Sequence, residues 1–180
     1  MAQTATIYTL AIDLADMDRG VYETLDLKVA RHPSETAEYM LTRVFAYCLE
    51  YQEGLALTDG VSSGDEPALV VRDLTGRITA WIEVGMPDAA RLHRGSKLAG
   101  RVAVYTHREA RQLLAQLAGQ KIHRAAEIPI YTFDRPMVEH VASRLERRTS
   151  WALSITDREL HLSTADGTFV LPVTEHHIPG

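Results

Sequence analysis

Cysteine is nearly absent from this chain. Of 180 residues only Cys48 carries a thiol, which excludes an intrachain disulfide and any zinc site built on paired cysteines. Its place on an apolar helical pattern points to core packing, where a free cysteine behaves as a small hydrophobe. Long apolar runs are missing too. No stretch reaches the ~18 consecutive apolar residues of a membrane span, and Met1-Ala2-Gln3-Thr4 lacks the basic, apolar opening of a secretory signal. The cytoplasm is the expected compartment, with no membrane partner. There is no excess of positive charge: the net charge is −5, which argues against indiscriminate nucleic-acid binding but leaves room for a local basic patch. The run from Gly95 to Arg101 has glycines at both ends of a basic stretch, but it places Arg101 where a phosphate loop needs lysine, and a strand follows where a helix should. What is present is 46% hydrophobic and 24% charged residues, the balance of a folded, soluble protein long enough for one sizeable core.

Along the chain, residues 5–14 and 22–30 alternate like half-buried strands and are expected to pair as a hairpin. Pro33-Ser34 should open a helix with Ser34 as its N-cap, Glu35 at its positive end and Gly54 at its close. Its apolar face would carry Met40, Leu41, Val44, Phe45, Cys48 and Leu49. A polar loop over 58–64 leads to strands at 67–73 and 78–84. Asp88 can cap a second helix running to about Gly100. A strand over 102–106, a helix over 108–118, a strand over 128–133 and a helix capped by Asp134 and ending near Arg148 follow. Pro136 suits that last helix's first turn. Residues 151–156, 160–163 and 168–173 read as a meander, and 176–180 as a loose tail. No repeat or linker interrupts this order, so residues 1–180 are expected to form one mixed α/β domain.

The chemistry concentrates on one strand pair. Asp65-Glu66-Pro67 opens the first strand, and Trp81-Ile82-Glu83-Val84-Gly85 forms the second. Carboxylates placed this way can converge on a metal ion that assists phosphodiester hydrolysis. A nuclease site of that type usually adds lysine two residues after the glutamate, and here that position is Gly85. Glu66 competes with Asp65 as the first ligand. Pro67 fits the first residue of a strand, where a missing N–H is harmless.

These segments resemble the YaeQ family of bacterial proteins. The resemblance rests on Ala30-Arg31-His32-Pro33-Ser34-Glu35-Thr36, on Asp65-Glu66-Pro67, and on the run from Trp81 to Asp88, and it spans nearly the whole chain. It implies a variant of the PD-(D/E)XK nuclease fold: a central mixed β-sheet flanked by helices, with extra N- and C-terminal strands. That fold has cutting and non-cutting members, so fold analogy alone does not assign an activity.

Within such a fold, Asp65 and Glu83 are the expected Mg²⁺ ligands, with Mn²⁺ as a substitute. Glu38, at the edge of the first helix's apolar face, is preferred over Glu35 as an assisting acid. Arg91, Arg94 and Lys97 on the second helix are the candidates to replace the missing strand lysine. Arg91, Arg94, Lys97, Arg101, Arg108 and Arg111 form a basic zone with Glu109 as its only acid, and Arg91, Arg94, Lys97 and Arg101 are its candidate contacts to nucleic-acid phosphates. Two functions follow: a divalent-metal-dependent nuclease or phosphodiesterase, or a non-catalytic nuclease-fold module that binds nucleic acid or a protein. Trp81 and Trp151 fit buried strand positions better than base-stacking platforms, and His176-His177 is expected to be incidental.

Overall fold

The computed structural model describes residues 4–59 and 64–180; the expected loop over 58–64 therefore lies largely outside the described residues. Ten strands form a mixed sheet in the order β2-β1-β8-β9-β10-β7-β6-β5-β4-β3. The strands are β1 (Thr6–Asp16), β2 (Val21–Arg31), β3 (Leu55–Leu57), β4 (Leu69–Arg72), β5 (Ile78–Val84), β6 (Arg101–Thr106), β7 (Pro129–Phe133), β8 (Arg148–Thr156), β9 (Glu159–Thr164) and β10 (Gly167–His177). The helices are α1 (Ala37–Leu49), α2 (Ala89–Leu98), α3 (Ala110–Leu117) and α4 (Arg135–Ser143). The β1–β2 hairpin forms as the alternation predicts, with Thr6 opposite Arg31 and Asp16 opposite Val21.

Helix α1 touches both edge strands, β2 and β3, as well as β5 and β6, so the sheet curls around it. Met40, Leu41, Val44, Phe45 and Cys48 are fully buried, as their spacing requires. Thr42, Arg43 and Ala46 are buried too, because a helix inside a curled sheet has little face left for water. The Phe45 ring lies 5.7 Å from Phe133 and 6.2 Å from Trp151. Burial pushes the Cys48 thiol up to about 12.

Strand alternation divides β5 between two layers. Ala80, Ile82 and Val84 join the core around α1, while Trp81 joins a second cluster with Leu92 of α2 and Leu113 and Leu117 of α3. Leu92, Gly95 and Ser96 form the packing face of α2, and Ala99, just past its end, is buried with them. Strands β5, β6 and β7 run parallel, but the helices that follow them leave in different directions. Helices α2 and α3 cover the outer face, and α4 packs Val138 and Val141 into the α1 layer. The direction of crossing therefore switches between β6 and β7.

Several elements differ from the sequence reading. Helix α1 begins later: Thr36, not Ser34, is its cap, accepting from the Tyr39 N–H at 3.1 Å. Ser34 instead bonds the His32 ring at 2.7 Å. Gly54 does not end the helix. It turns the chain into β3 at φ +88°, packed against the Arg72 backbone, and a three-residue strand is too short to show a period. Helix α4 stops at Ser143, and β8 starts early at Arg148. The expected tail begins as strand: His176 pairs with Ile130 and His177 with Pro129, while Ile178 is buried. The backbone pairing of β10 with β7 recruits these residues, a long-range contact that their local sequence does not announce.

Candidate functional site

Glu83 sits near the end of β5 on the same face as Trp81, pointing into the α2 layer. It is 4% exposed. Its Oε1 accepts from Trp81 Nε1 at 2.8 Å and from Arg91 Nε at 3.1 Å. Burial raises the Glu83 pKa above the ordinary carboxylate value, and the charge and hydrogen bonds of Arg91 and Trp81 oppose that only in part. Trp81 is held in turn by Gly95 of α2, where a Cβ would lie 2.6 Å from the indole ring. The absence of a side chain at Gly95 is what allows the helix to approach the tryptophan.

Arg91 is the hub. Asp88 caps α2 by accepting from the Arg91 N–H at 2.9 Å, which sets the first turn of the helix beside β5. The guanidinium then reaches Glu83 through Nε, the Gly64 carbonyl through Nη1 at 2.9 Å and the Glu66 carbonyl through Nη2 at 2.7 Å. The acidic loop and the β5 carboxylate do approach each other, as their spacing suggests, but an arginine stands between them. Asp65 points instead to Arg94 Nη1 at 3.0 Å, with its side chain 85% exposed. Glu66 lies 3.9 Å from Arg72.

The remaining nominated residues are dispersed. Glu38 belongs to the α1 layer, on the other side of β5 from Glu83. It lines a cavity with Tyr39, Gly85 and His107. Glu35 is not a helix-dipole residue at the surface; it is buried and paired with buried Arg43 at 2.6 Å. Arg101 does not extend the α2 basic zone. It pairs with Glu50 at 2.6 Å, in a cavity that also holds Tyr105 and Arg158. Lys97 is exposed in the last turn of α2 and has no side-chain partner among the described residues. The basic zone is thus divided, with Arg91, Arg94 and Arg101 each held by a carboxylate. The buried Glu35–Arg43 pair was missed because Glu35 precedes an amphipathic helix and Arg43 lies within it, positions where charge normally faces water. The eight-residue separation that joins them is visible only in three dimensions.

Gly85 has a physical reason to lack a side chain. Its φ is +94°, and a Cβ would lie 3.0 Å from Tyr39 Cε2. A lysine there would need a backbone that L residues rarely adopt and would press on that ring. A divalent cation fits this donor set poorly: one oxygen of Glu83 already carries two hydrogen bonds, Asp65 is turned outward, and Glu38 lies in another layer. Among the described residues no group of three or more histidine, cysteine, aspartate or glutamate side chains could hold a metal.

Comparison with known proteins gives the lineage. The model of the YaeQ protein family matches residues 1–173. The chain belongs to the YaeQ family. It is 33% identical over 164 residues to an uncharacterized YaeQ protein of Escherichia coli, covering 91% of each chain. The crystal structure of the YaeQ protein from Pseudomonas syringae superposes with a TM-score of 0.88 at 32% identity, covering 99% of this chain and 98% of that one. The YaeQ structure from Xanthomonas axonopodis pv. citri gives 0.86 at 27% identity, over 98% of this chain and all 100% of that one. The family's mixed α/β architecture, with its large sheet and four helices, is therefore shared. No helix among the described residues is long and apolar enough to cross a membrane.

Proposed function

We propose that this protein is a non-catalytic binding module on a frame of the PD-(D/E)XK nuclease type, working in the cytoplasm. One observation carries the reading: Arg91 occupies the space between Glu83 and the 64–66 loop, making one bond to the carboxylate and two to loop carbonyls. A fixed guanidinium thereby supplies the counter-charge that Mg²⁺ or Mn²⁺ supplies in a hydrolytic site. Glycine at position 85 supports the same reading, since the cation that would steer an attacking water is missing there. Between the two partner classes, charge pairing favours a protein. Of Arg91, Arg94, Lys97 and Arg101, three are neutralised by Glu83, Asp65 and Glu50, so the α2 face offers few free cations to a phosphate backbone.

The test has two arms. Calorimetric titration of Mg²⁺ and Mn²⁺ into the wild type should give no heat that a D65A/E83A variant loses. A cleavage assay on single- and double-stranded DNA and RNA with either metal should yield no product. Metal-dependent cleavage abolished by Glu83→Ala would overturn the reading and establish the nuclease. Nucleic-acid binding at the α2 face whose affinity falls steeply with salt would overturn the choice of partner, because that face, with Lys97 as its one unpaired cation among the four named residues, should show a slope of only about −1.

A further inference from the structure

The α2 site leaves another part of the molecule unused. In α/β sheets, ligands bind outside the carboxyl ends of parallel strands, where the crossing direction reverses. Here that point lies between β6, which leads outward to α3, and β7, which leads inward to α4. A cavity of about 420 Å³ opens at this place. Gly85 and Met86 after β5, His107 and Arg108 after β6, and Arg135 at the start of α4 all reach it, with Tyr39 of α1 as a wall.

The chemistry of the lining is specific. Arg108 has no side-chain partner among the described residues. Arg135 pairs with Glu139, which also borders the cavity, through Nε alone at 2.8 Å, and this leaves both terminal nitrogens of its fork unused. Arg108 follows β6 and Arg135 opens α4, on opposite sides of the crossing switch, and both border this cavity. Forked guanidiniums on two sides of a crevice suit a phosphate or carboxylate, which accepts paired N–H bonds from each. Two further groups point to donors on the same ligand. Glu38, also in the lining, has no side-chain partner among the described residues. Glu35 borders the cavity, and its buried Oε1 has no hydrogen-bond partner. The His107 ring bonds Thr42 at 3.3 Å, and burial keeps its pKa below the ordinary value, so at neutral pH it adds a polar but uncharged edge. The volume falls in the ~300–1,000 Å³ range of small-molecule sites, larger than a bare oxyanion needs.

We propose that this crevice binds a small organic phosphate bearing hydroxyl groups, its phosphate gripped by Arg108 and Arg135 and its hydroxyls facing the α1 carboxylates. The site is separate from the Glu83–Arg91 clamp, and its failure would leave the reading of that clamp intact.

Calorimetry or ligand-observed NMR on the full chain would use three probes at millimolar concentration: ribose 5-phosphate, ribose and inorganic phosphate. Ribose 5-phosphate should bind, inorganic phosphate more weakly, and ribose not measurably. Arg108→Ala and Arg135→Ala should each weaken ribose 5-phosphate about tenfold or more, Arg108→Lys less, and Lys97→Ala not at all. Both arginines are at the surface, and circular dichroism would verify that the variants fold. Glu83→Gln should bind as the wild type does. The proposal is overturned if ribose 5-phosphate does not bind the wild type, if either arginine can be truncated without effect, or if Lys97→Ala weakens binding equally. Binding of inorganic phosphate as tight as that of the ester would overturn the role of the hydroxyls.

Discussion

Removing Arg91 should cost stability in a way that depends on pH, and the structure supplies both the size and the sign. Breaking a buried ion pair by deleting one partner typically costs ~3–5 kcal/mol. The Arg91 side chain is 31% exposed, so solvent takes over part of its role, and Arg91→Ala is expected to cost ~2–3 kcal/mol at neutral pH. Glu83 titrates near 4.5 when unfolded and higher when folded, because burial disfavours its charge. Between those two values the folded chain holds more protons than the unfolded chain, so stability falls as pH rises through the window. Without Arg91 the folded pKa rises further and the window widens. Below about pH 4 both states are protonated, and the variant should lose only the bonds to the Gly64 and Glu66 carbonyls, roughly 1–2 kcal/mol. Adding Glu83→Gln removes the stranded charge and should restore ~1–2 kcal/mol of the loss at neutral pH. Urea denaturation of the wild type, both single variants and the double variant at the two pH values measures the cycle. An Arg91→Ala cost equal at both pH values, or a double variant no more stable than Arg91→Ala, would refute the clamp.

Other positions give independent tests. Gly95→Ala would drive a methyl to 2.6 Å from the Trp81 ring and should cost ~1–3 kcal/mol as overpacking, with a shifted tryptophan emission; an unchanged denaturation midpoint would contradict the packing. Glu35→Ala leaves Arg43 charged and buried and should cost ~3–5 kcal/mol, whereas the E35L/R43M pair should recover most of it in the same denaturation assay. Cys48, with its thiol pushed up to about 12, carries a thiolate fraction of roughly 1 in 10⁴ at pH 8. An alkylating reagent should therefore leave it intact until urea unfolds the chain, and rapid labelling of the native protein would place Cys48 outside the core.

Period and cap were legible in the sequence because they are local. The β1–β2 hairpin, the apolar stripe of α1, the Asp88 and Asp134 caps, and the α2 face of Leu92 and Ser96 follow from rules that act within a few residues. The family was legible too, through three motifs in order. The geometry that decides the site was not. Asp65 and Glu83 lie in neighbouring segments, but Asp65 and Pro67 belong to the loop before β4 (Leu69–Arg72) and do not open the strand, and spacing along the chain does not say what stands between the two carboxylates. Arg91 enters from a helix whose position is set by the close approach of Gly95 to Trp81. The burial of Arg43 depends on the sheet curling completely around α1, and the strand formed by His176 and His177 depends on β7, more than forty residues away in the chain. The sequence by itself determined which residues carry charge, which faces are apolar and where helices start. Only tertiary structure decided which distant charges meet, because the Arg94–Asp65 and Arg101–Glu50 pairs and the crevice at the β6–β7 switch join groups that lie far apart in sequence.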